Sequence, residues 1–205
     1  MLNHPLLTPR ASKVSYRGGF WSSATGATLS TSIDIGGAAA DRRIIVAAAC
    51  VAGGTDISSI VVNGVSLTAD ALATLTRPAG IFSGLVTSGN GLQTVTVTFA
   101  AGTFLHRAFW VYTGNGIAKK QSRITFPGSL AVDPNDFILG ATVDVAAAFE
   151  FISPTNQLPR QRLAVSSNTG SLVLSAYEWQ ANGVNPAFNF VLGGTSPNAA
   201  VASYG

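Results

Sequence analysis

The segment Gln93–Phe99, QTVTVTF, sets Gln93, Val95, Val97 and Phe99 on one side of the chain and Thr94, Thr96 and Thr98 on the other. A period of two sends successive side chains to opposite faces of a strand, giving one face for a core and one for water. No stretch of the chain sustains a helical period, and 22 glycines and 9 prolines cut it into short segments. The chain is thereby confined to all-β architectures. Strands are predicted at 14–21, 28–35, 43–51, 57–62, 65–69, 80–87, 92–99, 104–113, 122–126, 136–144, 161–167, 171–179, 186–192 and 199–204. The one segment that reads as a turn or two of helix is DVAAAFEF, residues 144–151.

In ISSIVVNGVSL, Asn63-Gly64 lies between two β-branched runs, and both residues tolerate the positive φ of a type I′ turn, so 57–67 reads as a hairpin. In IIVAAAC, residues 44–50, nothing alternates, as expected of a central strand covered on both faces. In 104–113, Phe104, His106, Ala108, Trp110 and Tyr112 share one face and Leu105, Arg107, Phe109, Val111 and Thr113 the other; both are mostly apolar, so this strand reads as central or as lying against a neighbour. These features predict two antiparallel sheets packed as a jelly-roll-like β-sandwich, a single domain over 14–205 preceded by an extended arm over 1–13.

The chain also rhymes with itself. A shift of 91 residues lays Phe99 on Phe190, Gly102 on Gly193, Ala108 on Ala199 and Gly114 on Gly205, and IFSGLV (81–86) on LVLSAY (172–177). ADRRIIVAAA (40–49) falls near PNDFILGATV (134–143), each an Asp turn feeding an apolar strand. The match fits two similarly built halves, and equally the regular strand spacing of any sandwich.

Charged residues make up 10% of the chain, against about a quarter in an ordinary soluble domain. The surface is therefore built from Ser, Thr, Asn, Gln, Gly and Ala, which suits a protein partly covered by neighbours. The net charge of +3 comes from scattered residues, with Arg42–Arg43 and Lys119–Lys120 the adjacent pairs, so no nucleic-acid stripe is expected. Cys50, the one cysteine, lies in an apolar run and reads as a buried, inert thiol. MLNHPLLTPRASK lacks the apolar region of a signal peptide, and no apolar run approaches the roughly 18 residues of a spanning helix, so neither secretion by that route nor membrane insertion is expected.

Catalytic and metal-binding patterns are sparse. The two histidines, His4 and His106, have no ligand-spaced partner. Asp133 and Asp136 around Asn135 offer oxygen ligands for calcium without the further carboxylate such a site needs, and Asp-Pro-Asn-Asp is a common turn into a strand. There is no G-x-S-x-G elbow, and the two glutamates, Glu150 and Glu178, are not paired by spacing. The expectation is no enzyme, no cofactor and no metal. Among the aromatics, Tyr177 and Trp179 alternate with Ser171, Val173 and Ser175 on their strand and, with Trp21, offer flat platforms for a glycan or a partner. Leu2, Leu6 and Leu7, held from helix by Pro5 and Pro9, mark residues 1–13 as an arm for assembly on a neighbour.

AADRRIIVAAACV, ISSIVVNGVSLT, IFSGLVTSGNGLQTVTVTF, RAFWVYTG and the closing AAVASYG together resemble small virion-associated proteins of tailed bacteriophages and prophages, over roughly residues 14–205. The resemblance implies a β-sandwich or jelly-roll module of a capsid decoration, head spike, collar or tail fibre, and carries no catalytic motif. It also implies a homo-oligomer in contact with other virion proteins and a location in the virion after synthesis in the host cytoplasm. A carbohydrate- or receptor-binding module at a fibre or spike is the alternative.

Overall fold

The computed structural model describes residues 13–51, 56–74, 77–100, 106–125, 128–144, 160–166, 173–180, 187–190 and 198–205, and all regular structure among them is β-strand. Residues 1–12, with Leu2, Leu6 and Leu7, lie outside the described residues, as do residues 145–151 of the helical turn expected over 144–151, while Asp144 ends a strand.

Nine strands precede residue 116: β1 (Val14–Ser22), β2 (Thr28–Asp34), β3 (Arg42–Val51), β4 (Ile57–Val62), β5 (Val65–Ser66), β6 (Thr68–Ala73), β7 (Ala79–Leu85), β8 (Leu92–Phe99) and β9 (His106–Asn115). They form two antiparallel sheets, ordered β1-β9-β3-β7-β6 and β2-β8-β4-β5. The chain passes back and forth between these sheets, and the order is that of a jelly roll. The hairpin expected at 57–67 is present: Asn63 and Gly64 have φ of 49° and 77°, as a type I′ turn requires. Only Leu67 separates β5 from β6, so one stretch of chain bends from the smaller sheet to the edge of the larger.

Among the described residues, seven strands follow: β10 (Lys119–Arg123), β11 (Gly128–Ala131), β12 (Phe137–Asp144), β13 (Arg160–Ser166), β14 (Val173–Gln180), β15 (Ala187–Phe190) and β16 (Asn198–Tyr204). Their orders are β10-β16-β12-β14-β13 and β11-β15. Strand for strand, these repeat β1-β9-β3-β7-β6 and β2-β8, without counterparts of β4 and β5 among the described residues. The two similar halves expected from the sequence are therefore present in the fold.

The register of the repeat needs one correction. Ile45 pairs with Tyr112, Ala47 with Trp110 and Ala49 with Ala108; shifting each by 92 gives the pairs Phe137–Tyr204, Leu139–Ala202 and Ala141–Ala200. All twelve side chains lie in one buried cluster. The shift of 91 read from the sequence lays Ala108 on Ala199, and a slip of one residue sends every side chain to the wrong face of a sheet.

That cluster lies between the two five-stranded sheets. A second cluster lies on the other side of β3 and β9, where Ile44, Val46, Ala48, Cys50, Phe109 and Val111 meet Leu29, Ile33, Ile60, Val62, Val95, Val97 and Phe99 of the β2-β8-β4-β5 sheet. The unbroken apolar run of β3 is thereby explained, because each of its faces packs on a different sheet. The antiparallel sandwich foreseen from the sequence is present, and its two-sheet count extends to a third layer sharing the middle sheet. β8 has the expected single apolar face, with Val95, Val97 and Phe99 buried and the threonines toward solvent.

Candidate assembly surface

β1 ends the first five-stranded sheet and pairs with β9 along Val14–Ser22. Three of its aromatic side chains reach solvent: Tyr16, Phe20 and Trp21, the last 50% exposed. Tyr16 and Phe20 are anchored from beneath. The Tyr16 ring lies 5.4 Å from that of Tyr112, which lies 5.6 Å from Phe137 in the opposite half, so the surface is tied to the core between the sheets. Phe20 meets Phe109 edge-on at 6.4 Å, on the other side of the sheet. Gly19 leaves room for this packing: a Cβ there would stand 2.8 Å from the Phe109 carbonyl oxygen and 3.0 Å from Trp110 Cδ1. The register shifts at Arg17, whose guanidinium folds against Gly36, so the regular part of the edge is Gly18–Ser22.

β10 has the same place in the second half and the opposite character. All five of its residues are exposed, and Lys119, Lys120 and Arg123 supply three cations. Lysines on an edge strand are a common block to pairing with another chain. The two edges occupy one position in one strand order, so the fold itself does not dictate this difference.

Of the platform residues expected from the sequence, Trp21 is on this surface. Tyr177 and Trp179 belong to β14 in the other five-stranded sheet, opposite Gly140 and Ile138 of β12, and their side chains lie outside the described residues. Trp110 and Tyr112 are core residues. The contribution of Phe20 was missed; its signal was the uncharged Gly-Gly-Phe-Trp run at the end of a predicted strand.

Lys120 stands over the loop that offered calcium ligands. Its ammonium donates to Asp133 Oδ2 at 2.7 Å and Asp136 Oδ1 at 2.8 Å, while Asp136 Oδ2 accepts the Asp133 backbone N–H at 2.8 Å. Asn135 has a φ of 70°, so the segment is the turn into β12 that the sequence suggested, and a cation already faces both carboxylates. Hydrogen bonds to Asp133 and then Asp136 raise the lysine pKa. Beside them a cleft of about 210 Å³ is lined by Lys13, Ile117, Asn135, Phe137 and Tyr204. No group of three His, Cys, Asp or Glu side chains among the described residues is placed to hold a metal ion. His106 is half-buried at the start of β9; His4 and Glu150 lie outside the described residues, and Glu178 pairs across β14 with Leu139 and Arg160.

Two buried arginines hold loops. Arg42 is fully buried; its Nε and Nη atoms donate to the carbonyls of Val86, Gly36, Gly37, Gly89 and Ser88, joining the β2–β3 and β7–β8 connections. Burial, then Arg17, lowers its pKa. Arg107 donates to the carbonyls of Ala24, Gly26 and Thr28, fixing the β1–β2 turn at the end of the aromatic edge.

No protein-family model matches the chain, and neither a curated protein nor a solved structure is similar to it at a significant level.

Proposed function

We propose that the chain is a non-enzymatic structural protein of a bacteriophage virion, which assembles with itself and with other virion proteins as a capsid decoration, spike, collar or tail component. The observation that carries the self-assembly part is the aromatic edge of β1, where Tyr16, Phe20 and Trp21 are exposed on a rigidly backed strand while the equivalent edge β10 is cationic. Anchored aromatics are the residue type that dominates protein contacts. The low charge of the chain supports the same reading, because neutral sheet faces cost little to desolvate against a neighbour. The virion part rests on the jelly-roll order, here in two copies, which agrees with the fold that the phage resemblance implies.

Two measurements test it. Light scattering behind a sizing column should give a defined oligomer. Particles purified on a density gradient from a lysogen carrying the gene should contain the chain in constant ratio to the major capsid protein, and its absence from them overturns the virion assignment. A carbohydrate- or receptor-binding module is the second reading, favoured by the half-exposed indole of Trp21. Glycan-array binding that Trp21→Ala abolishes, from a monomeric chain, would select it.

A further inference from the structure

We infer that the β1 edge pairs with the β1 edge of a second copy of this chain, antiparallel about a twofold axis through Phe20. This rests on the self-assembly reading above and names its interface. The duplicated fold supplies an internal control. Were every edge of this protein meant for solvent, β1 would be expected to resemble β10, whose Lys119 and Arg123 repel an incoming strand while Lys120 is turned to Asp133 and Asp136. Instead the regular stretch of β1, Gly18-Gly19-Phe20-Trp21-Ser22, carries no charge at all.

Charge then chooses between the two edges as partner. Docking β1 on a second copy's β10 would bring Lys13 and Arg17 toward Lys119 and Arg123, a like-charge contact. Docking β1 on β1 about Phe20 sets Phe20 opposite Phe20, Trp21 opposite Gly19 and Ser22 opposite Gly18, and moves Arg17 outward to Ser23. Trp21 of each copy then lies across from Gly19, where Tyr16 Oη and Trp110 Cδ1 of the same chain already fill the side-chain space, so the indole is laid against those side chains. The ladder spans the five residues beyond the irregularity at Arg17. Being isologous, it closes on itself and cannot propagate into a fibre.

Cysteine placed on the proposed axis tests the geometry directly. Directly opposed residues of an antiparallel pair have Cα atoms about 4.5–5.5 Å apart, within the range a disulfide spans. The native thiol of Cys50 is buried and does not compete. Expected are an even-numbered oligomer for the unaltered chain, rapid oxidative dimerisation of Phe20→Cys, none of Ser122→Cys on β10, and half the native mass for Trp21→Lys with an unchanged circular dichroism spectrum. Ser122→Lys, the same charge on the other edge, should leave the mass unaltered. An oligomer in which Phe20→Cys crosslinks no faster than Ser122→Cys, or one with an odd number of subunits, overturns the twofold β1 contact and leaves self-assembly standing. A chain monomeric at every concentration overturns both.

Discussion

Tyr204 on β16 donates its phenolic hydrogen to Asp70 Oδ2 on β6 at 2.5 Å, joining the last strand of the second half to an edge of the first. The side chain is 1% exposed and sits in a polar chain: Ser83 hydrogen-bonds the same phenol, and Arg43 donates to Ser83 Oγ at 3.0 Å and to the Ile117 carbonyl at 3.1 Å. The described side chains of the layer between the two sheets are mostly apolar, so this polar chain helps to fix how they sit on each other. A buried polar group is costly unless its partners are in place.

Tyr204→Phe removes the donor and leaves Asp70 facing the seam without it. A hydrogen bond to a charged group contributes about 1.5–3 kcal/mol, so the variant is expected to lose roughly that much stability. Equilibrium denaturation in urea checks it, with an unchanged slope showing that the fold is retained. A loss below about 0.5 kcal/mol would mean that the seam is held by apolar packing alone.

The same phenol predicts a dependence on pH. Burial first, then the Asp70 carboxylate, raises the Tyr204 pKa well above its ordinary value of 10. A folded-state pKa above the unfolded one gives a contribution that is whole below pH 10 and is lost as pH rises beyond it. Thermal midpoints recorded from pH 8 to pH 11.5 should fall above pH 10, and the fall should be shallower in Tyr204→Phe. Parallel curves for the two proteins would remove Tyr204 as the titrating group.

Arg42→Lys is expected to be among the most damaging single changes. Five loop carbonyls converge on the guanidinium, and an ammonium with three donors cannot replace it. Leaving buried acceptors unpaired around a charge costs about 3–5 kcal/mol. Hydrogen exchange should report it locally, with faster exchange at the Val86 and Gly91 amides, which bond to the Arg42 and Gly36 carbonyls. Uniform acceleration across all strands, or none, would contradict the loop-holding role.

Much of this fold is legible in the chain, for identifiable reasons. β4 and β8 begin and end where the sequence places them, β8 because it alternates cleanly and β4 because the Asn63-Gly64 turn marks its end. The third layer was implicit in the apolar run of β3, which demands cover on both faces, yet two-sheet sandwiches are the simpler way to supply it. β11 was missed, its four residues offering too short a pattern to register. Arg42 stood in the sequence only as one of an adjacent basic pair, since the carbonyls that enclose it come from loops up to 47 residues away. The aromatic edge was half legible: Trp21 stood out by type, while its exposure depends on β1 ending the sheet, a property of strand order that no local pattern carries.

Cys50 supplies a probe that leaves the surface untouched. Its side chain is buried against the β2-β8-β4-β5 sheet, and burial pushes its pKa up to about 12 despite Arg107 across the strand pair. A thiol reacts as its thiolate, so at pH 8 only a trace of the folded protein is competent, and the reagent cannot reach it. Ellman's reagent should therefore label the native chain only through global opening, and instantly in 6 M guanidinium. With reclosing fast relative to reaction, labelling of Arg42→Lys should accelerate about tenfold for each 1.4 kcal/mol of stability lost. Fast native labelling with intact circular dichroism would mean that the β3–β9 centre opens by itself, contrary to packing on both of its faces.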